Sequence, residues 1–259
     1  MPFELVTIPC RSDNYAFLLH ETSSGRTALA DAPEAAPIEA ELKARGWQLA
    51  EIWITHHHGD HIDGVDRLRK VSGATVTGAA ADAHRLPALD RAVKDGDVFD
   101  FAGSQVRVLD VSGHTVGHIA FHVPDAKAVF TGDSLMALGC GRLFEGTAAQ
   151  MWQSLSKLAA LPSDTQADTQ VCSGHEYTAS NAAFALTVEP GNPALVARAE
   201  AVRAARARGE ATVPSRLSEE RATNPFLRAG LQSVKDDLSM ADDNDADVFA
   251  EIRRRKDRF

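Results

Sequence analysis

The segment THHHGDH, residues 55–61, places four histidines and one aspartate directly after an apolar run. That run, EIWIT at residues 51–55, is rich in β-branched and aromatic side chains, which predicts a strand. Residues two apart on an extended segment face the same side. We therefore expect His56 and His58 to point into one site at the end of the strand, and His57 to point away from it.

The second half of this segment adds ligands of the same chemical type. Asp60 and His61 follow on a predicted turn and could reach a second centre close to the first. Imidazole nitrogen and carboxylate oxygen are ligands that zinc, iron and manganese all accept. A solvated histidine-rich loop is the alternative interpretation, and the HxHxDH spacing disfavours it. The segment therefore predicts a metal site.

The rest of the chain changes character along its length. Apolar runs bounded by turn residues predict strands at residues 3–8, 15–21, 27–32, 51–55, 74–79, 97–103, 105–111, 118–123, 128–133 and 169–175. Amphipathic patterns predict helices at residues 33–46, 64–73 and 147–161, the last with Thr147 as its N-cap. Beyond residue 175, helical periodicity without a strand signal covers residues 178–190, 192–209 and 245–259. The order favours an α+β layout or a separate helical domain, and we place the boundary between residues 1–175 and 176–259.

Composition excludes several classes of protein. The 259 residues are 44% hydrophobic and 24% charged, which is typical of a globular protein with a sizeable core. A net charge of −9 argues against a nucleic-acid partner. The sequence has no apolar run of the ~20 residues that a membrane span needs, and its start lacks the basic and apolar regions of a secretory signal. Three widely spaced cysteines suggest free thiols, so a cytoplasmic location is expected.

Three further candidate ligands lie at the ends of predicted strands. His114 follows the strand at 105–111, Asp133 ends AVFTGD, and His175 ends TQVCSGH. Seven ligands are too many for one tetrahedral ion with an open position, but they fit two ions that share one carboxylate. The seven candidates are His56, His58, Asp60, His61, His114, Asp133 and His175.

Several motifs together resemble a known family. THHHGDHIDG, SGHTVGH, FTGDSLMALGCGRLFEGT and SGHEYT are similar to motifs of the metallo-β-lactamase superfamily. The segments GCGRLFEGT, GHEYT, NPFLR and the final KDRF resemble, more narrowly, the glyoxalase II family of hydroxyacylglutathione hydrolases. The resemblance implies an α/β fold, a four-layer αββα sandwich, followed by a smaller α-helical C-terminal domain that binds substrate.

The resemblance also implies a ligand assignment and a reaction. The first ion would be held by His56, His58 and His114, the second by Asp60, His61 and His175, with Asp133 as the bridge. Asp60 and Asp133 are the carboxylates expected to act in catalysis. A water shared by two cations would lose its proton and attack the thioester of S-D-lactoylglutathione, giving D-lactate and glutathione, the second step of methylglyoxal detoxification. Zinc is the expected metal, and iron and manganese also suit the ligands.

The substrate would be held partly by basic residues near the C-terminus. Arg253 and Lys256 are three apart on the last predicted helix, so they share a face. In the family the matching pair binds the glycine carboxylate of glutathione, and residues matching Arg142, Phe144 and Tyr177 line the glutathione site. A basic last turn that complements the helix dipole explains the same pair without binding.

The sequence is also compatible with other functions, and it allows two roles each for His118 and Asp31. A mononuclear iron persulfide dioxygenase, a β-lactamase or lactonase, and a catalytically silent metal-binding protein are the alternatives to the hydrolase. His118 could orient a ligand or fill the core, and Asp31 could brace a histidine or lie exposed. Cys172 is expected to be buried and inert. The helical segment has no strong apolar stripe, which predicts a monomer.

Overall fold

The computed structural model describes residues 2–164 and 167–259. Its contacts divide the chain into two compact units. Unit 1 runs to Asp110 and resumes over Gly117–Gly132. Unit 2 comprises Val111–Val116 and the chain from Asp133 to Phe259.

Unit 1 contains a six-stranded sheet in which strand order follows chain order. Its strands are β1 (Phe3–Cys10), β2 (Asn14–Glu21), β3 (Arg26–Ala30), β4 (Gln48–Trp53), β5 (Thr75–Ala79) and β6 (Arg91–Val93). The first three pair antiparallel through short turns, and β3 to β6 pair parallel. Parallel neighbours need a crossover. Helices supply the first two: α1 (Ala35–Arg45) precedes β4, and α2 (Gly59–Ile62) and α3 (Val65–Ser72) precede β5.

Four antiparallel strands form the second layer of unit 1. They are β7 (Val98–Phe101), β8 (Ser104–Asp110), β9 (Ile119–Val123) and β10 (Ala128–Gly132), each paired with the next. Trp53 of β4 contacts this layer: its ring centroid lies 5.2 Å from that of Phe101 and 5.6 Å from that of Phe121. All three rings are buried, so an aromatic core joins the two sheets of unit 1.

A second apolar cluster lies between the first sheet and its helices. Ile38 of α1 and Leu68 of α3 pack with Leu29 and Ile52 of the sheet. Burying such side chains contributes about 1.5–3 kcal/mol each. The cluster fixes α1 and α3 on the sheet, and with them the segment that connects β4 to α3.

Unit 2 is mainly helical. Its helices are α4 (Ala148–Ala159), α5 (Thr178–Val188), α6 (Pro193–Ala207), α7 (Leu217–Thr223), α8 (Gln232–Asp237) and α9 (Asp245–Lys256). Its strands are β11 (Leu135–Met136), β12 (Gly139–Cys140), β13 (Gln170–Ser173) and β14 (Ser215–Arg216). The predicted N-cap is confirmed: Thr147 and Gln150 form a reciprocal capping box at the start of α4.

The sequence prediction was wrong or incomplete in several places, and it did not include the short strands β6, β11 and β12. The region after residue 175 contains a strand, β14, which pairs with β13; two residues are too short to produce a readable alternation. Asp60 lies on the short helix α2 instead of a turn. Helices α7 and α8 were not predicted, because six or seven residues give too few turns for helical periodicity to be read. Among the described helices, none is long and apolar enough to cross a membrane.

Candidate active site

In unit 1, the segment between β4 and α2 brings the histidines of the HxHxDH motif together. The ring centroid of His56 lies 4.7 Å from that of His58 and 4.1 Å from that of His61. His57 turns to another partner, with its Nδ1 atom 2.9 Å from Oδ2 of the buried Asp82. The ring centroid of His57 still lies 5.0 Å from that of His58, but its Nδ1 atom is directed at Asp82, in agreement with the alternation expected along an extended segment.

The buried Asp31 braces this histidine cluster. Its Oδ2 atom lies 2.8 Å from Nδ1 of His61, and its carboxylate accepts hydrogen bonds from the backbone N–H and the hydroxyl of Thr55. The Thr55 hydroxyl in turn lies 3.0 Å from Nδ1 of His56. Because both Nδ1 atoms are engaged, coordination of a metal by His56 and His61 would use Nε2. The structure thus supports the interpretation of Asp31 as a brace.

Two further residues contact members of the cluster. The side-chain amide of Asn14 donates to the carbonyl and to Oδ2 of Asp60, at 3.0 and 3.1 Å. The ring of His118 stacks on His56 at a centroid distance of 4.5 Å and an angle of 13°. His118 therefore packs directly against a candidate ligand. Asn14 was not among the predicted site residues, although it lies in the SDNY segment near the start of the chain.

In unit 2, one carboxylate oxygen faces two imidazoles. Oδ2 of Asp133 lies 3.5 Å from Nε2 of His114 and 3.3 Å from Nε2 of His175. The Nδ1 atom of His114 is 2.8 Å from the carbonyl oxygen of Arg142, so His114 would also coordinate through Nε2. One carboxylate oxygen is therefore shared by two candidate ligands.

Gly141 allows the backbone to approach Asp133 and His114 closely. A Cβ atom added to Gly141 would lie 2.0 Å from the carbonyl oxygen of Asp133 and 2.9 Å from Nδ1 of His114. The Gly141 N–H donates to the carbonyl of Ser134 at 3.1 Å. The backbone at Gly141 thus packs against two candidate ligands at once, which no residue with a side chain could do.

Aromatic side chains of unit 2 lie against the same histidines. Tyr177 stacks on His175 with a centroid distance of 4.7 Å and an interplanar angle of 5°. Phe144 meets His114 edge-on at 5.2 Å, and its side chain remains exposed. Both are predicted substrate-site residues, and their position suits contact with a bound molecule.

The two basic residues of α9 that are predicted to bind substrate have different environments. Arg253 is buried; its Nη1 atom donates to the carbonyl of Cys140 at 2.9 Å, and its Nη2 atom lies 2.9 Å from Asp257. Asp257 also lies 3.6 Å from Nε of Arg142. This acidic residue therefore joins two predicted substrate-binding arginines. In the sequence, Asp257 is a single acid in a basic segment, and this pattern does not predict such a role.

Lys256 is half-buried between aromatic rings. Its Nζ atom lies 5.3 Å from the ring centroid of Phe184 and 5.2 Å from that of Phe259, and it donates to the hydroxyl and carbonyl of Ser180 at 3.2 Å. Burial, with a smaller effect of the Arg253 charge, lowers the pKa of Lys256 to about 8. Lys256 is therefore mostly cationic at neutral pH and able to attract a carboxylate.

The candidate ligands divide between the units as four and three. The four in unit 1 are His56, His58, Asp60 and His61, and the three in unit 2 are His114, Asp133 and His175; all are histidine or aspartate side chains of the kind that hold metal ions. Cys172 is not among them. It is buried, and burial raises the pKa of its thiol, so the inert thiol expected from the sequence agrees with the structure.

Comparison with protein families divides the sequence in two. A model of the metallo-beta-lactamase superfamily matches residues 22–175. A model described as the hydroxyacylglutathione hydrolase C-terminus matches residues 176–259. These matches confirm the predicted metallo-β-lactamase fold with a C-terminal helical part, and with it the capacity to bind divalent metal ions.

Relatives match over the entire chain. The hydroxyacylglutathione hydrolase of Roseobacter denitrificans is 63% identical over 259 residues, covering 100% of both chains. That of Ruegeria pomeroyi is 64% identical over the same length and coverage. Among solved structures, ETHE1 from Myxococcus xanthus is 24% identical with a TM-score of 0.67, covering 98% of this chain and 90% of its own, a likeness of fold. This chain belongs to the hydroxyacylglutathione hydrolases, the glyoxalase II family of the metallo-β-lactamase superfamily.

Proposed function

We propose that this chain hydrolyses the thioester of S-D-lactoylglutathione, and of related acyl-glutathiones, to a free acid and glutathione. One observation in unit 2 carries the proposal. The segment of residues 140–142 contacts a candidate metal ligand through the Arg142 carbonyl, and its Cys140 carbonyl contacts Arg253 of the basic helix α9. A metal ligand and a carboxylate-binding helix thus share one structural element, which suits a substrate carrying both a thioester and carboxylates.

Two divalent ions, proposed to be zinc, would be held by seven side chains. The first would use His56, His58 and His114, the second Asp60, His61 and His175, with Asp133 as the shared ligand. Support comes from the hydrogen bonds at Nδ1 of His56, His61 and His114, which direct coordination to Nε2. The position of one Asp133 oxygen beside two Nε2 atoms supports a shared carboxylate. Histidine and carboxylate ligands also accept iron and manganese.

The chemistry follows from this ligand set. Bound there, the ions would lower the pKa of a water molecule towards ~7 and polarise the thioester carbonyl. Asp60 and Asp133 would offset two of the four positive charges of the two cations and help to hold them. A thiolate is a good leaving group, so no side chain is assigned as a proton donor to it.

The remaining assignments concern the substrate. Lys256 and Arg253 would attract the glycine carboxylate of glutathione, with Arg142 nearby through Asp257. Phe144 and Tyr177 would line the glutathione site, each beside a metal ligand. The proposal includes a catalytic part at residues 1–175, a substrate-binding part at 176–259 and a monomeric state. The two family models, which meet at residue 175, support the division.

A substrate panel tests the proposal. Purified protein with measured metal content is given S-D-lactoylglutathione, a cephalosporin and glutathione persulfide, while thiol release, β-lactam opening and oxygen uptake are followed. We expect thiol release from the thioester, and neither β-lactam opening nor oxygen uptake. Oxygen uptake with the persulfide would replace the proposal with the dioxygenase, and β-lactam opening alone would replace it with a β-lactamase.

A further inference from the structure

The short hairpin β11–β12 is held by side chains of three helices. Residues 135–140 are buried, and the two strands are only two residues long, so the sheet can satisfy few of their backbone polar groups. Buried backbone N–H and C=O groups require partners. Four side chains supply them, from Asn181 of α5, Glu220 of α7, Asn224 at its end, and Arg253 of α9.

Asn224 makes the most extensive of these contacts. Its side-chain amide lies 3.1 Å from the carbonyl oxygen of Met136 and 3.0 Å from that of Gly139. It also lies 3.0 Å from Oε2 of Glu220. The asparagine is fully buried, and its own Oδ1 atom accepts the N–H of Phe226. Asn224 thus ties both strands of the hairpin to the end of α7.

Glu220 completes the attachment at the hairpin turn. Its Oε2 atom accepts the backbone N–H of Leu138 at 2.9 Å. Leu138 has a φ of 56°, in the left-handed region that non-glycine residues rarely adopt. Glu220 is fully buried and forms an ion pair with Arg198 of α6, so its charge is compensated. The carboxylate therefore stabilises an unfavourable turn conformation.

The hairpin connects directly to two candidate metal ligands. Asp133 lies two residues before β11, and Gly141 follows β12. The Gly141 backbone packs on Asp133 and His114, and the next carbonyl, of Arg142, lies 2.8 Å from Nδ1 of His114. A displacement of the hairpin would therefore move both the carboxylate and the carbonyl that orients the imidazole.

From these contacts we propose that Glu220 and Asn224 are positioning residues for the metal ligands Asp133 and His114. They act through the hairpin and contact neither substrate nor metal. The inference rests on the proposed function, since it assigns metal binding to those two ligands. It also gives the NPFLR segment, which begins at Asn224, a role within the enzyme.

The test compares two buried carboxylates of unit 2. Glu220→Gln changes the group that accepts the Leu138 N–H. Glu189→Gln is the matched control, because Glu189 is also buried and its carboxylate accepts two N–H groups of Arg228, at 2.8 and 2.9 Å. Metal affinity is measured by chelator competition, the site geometry by the visible spectrum of the cobalt-loaded protein, and Tm by unfolding of the stripped protein.

We expect Glu220→Gln to weaken metal affinity about 10–100-fold and to alter the cobalt spectrum. Glu189→Gln should lower Tm by a similar amount, with metal affinity and spectrum close to those of the wild type. Equal effects of both variants would overturn the inference. If Glu220→Gln does not fold, Asn224→Ala takes its place.

The inference can also be tested on the wild-type protein, by hydrogen exchange. If the hairpin positions the ligands, metal binding must in turn stabilise the hairpin, because coupling is reciprocal. Hydrogen exchange of the Leu138 amide should slow on metal loading, and unchanged exchange would contradict the inference. Failure of the wild type to bind metal would instead contradict the proposed function, so the two failures are distinguishable.

Discussion

The carboxylate of Asp31 lies 2.8 Å from Nδ1 of His61, and it reaches His56 through the hydroxyl of Thr55. One buried acid therefore orients two candidate ligands of the HxHxDH motif. Asp31 has a φ of 55°, a conformation that aspartate tolerates better than most residues. Its position just after β3 places it beside the end of β4, where the motif begins.

Replacement of this acid should weaken metal binding. In Asp31→Asn the negative charge that favours an N–H on Nδ1 of His61 is lost. The amide can present either its oxygen or its NH2 group to this nitrogen, so it does not select one protonation form of the imidazole. We expect metal affinity to fall by about 10–100-fold in chelator competition. Asp125→Asn, at an exposed position outside the cluster, is the control. Wild-type affinity in Asp31→Asn would show that the contact has no role in metal binding.

A methyl group at Gly141 should disrupt the site of unit 2. In Gly141→Ala the new Cβ meets the backbone of Asp133, which cannot move without displacing the ligand. We expect loss of metal stoichiometry together with a lower Tm. Gly191→Ala is matched to it, because a Cβ at Gly191 meets nothing within 4 Å and the position needs no left-handed φ. Two metals per chain in Gly141→Ala would show that the packing is not restrictive.

The pH dependence of substrate capture should report on Lys256. Its pKa of about 8 means that it is cationic below that pH and becomes neutral as the pH rises through it. If the cation attracts a glutathione carboxylate, kcat/KM should fall above pH 8, since this ratio reports groups of the free enzyme. Rates are corrected for uncatalysed thioester hydrolysis.

Lys256→Arg separates this effect from other titrations. An arginine remains charged across the range, so the decline near pH 8 should disappear or move to much higher pH. A decline of the same size at the same pH in this variant would assign it to another group and remove Lys256 from the carboxylate site.

The capping box of α4 should contribute to stability alone. The Thr147 hydroxyl accepts the Gln150 N–H at 3.2 Å, and the Gln150 side chain accepts the Thr147 N–H at 2.8 Å. Thr147→Ala should lower the free energy of unfolding by about 1 kcal/mol in a denaturant titration, with KM unchanged. Gln150→Ala removes the other half of the box and should cost a similar or smaller amount. An altered KM in Thr147→Ala would link α4 to the substrate site.

The sequence predicted structural elements and a buried thiol where the signal is local. The strand that ends at the HxHxDH motif, the helix capped by Thr147 and the inert Cys172 all follow from periodicity or spacing within a few residues. The metallo-β-lactamase fold came from motifs, since strand alternation alone left an α+β layout and a separate helical domain both open.

What the sequence did not predict depends on distant partners. Glu220 contacts Leu138 across 82 residues, and Arg253 contacts Cys140 across 113. A buried glutamate in a short helix and an exposed aspartate such as Asp257 look like ordinary surface residues until the chain is folded. The strand β14 is likewise defined only by its partner β13.

The most direct test of the account is thiol release during metal titration of the chelator-stripped protein, with S-D-lactoylglutathione as substrate and bound metal counted at each point. We expect no thiol release without metal and a maximum at two ions per chain. Full activity in the stripped protein, or no thiol release with two ions bound, would contradict a binuclear thioester hydrolase.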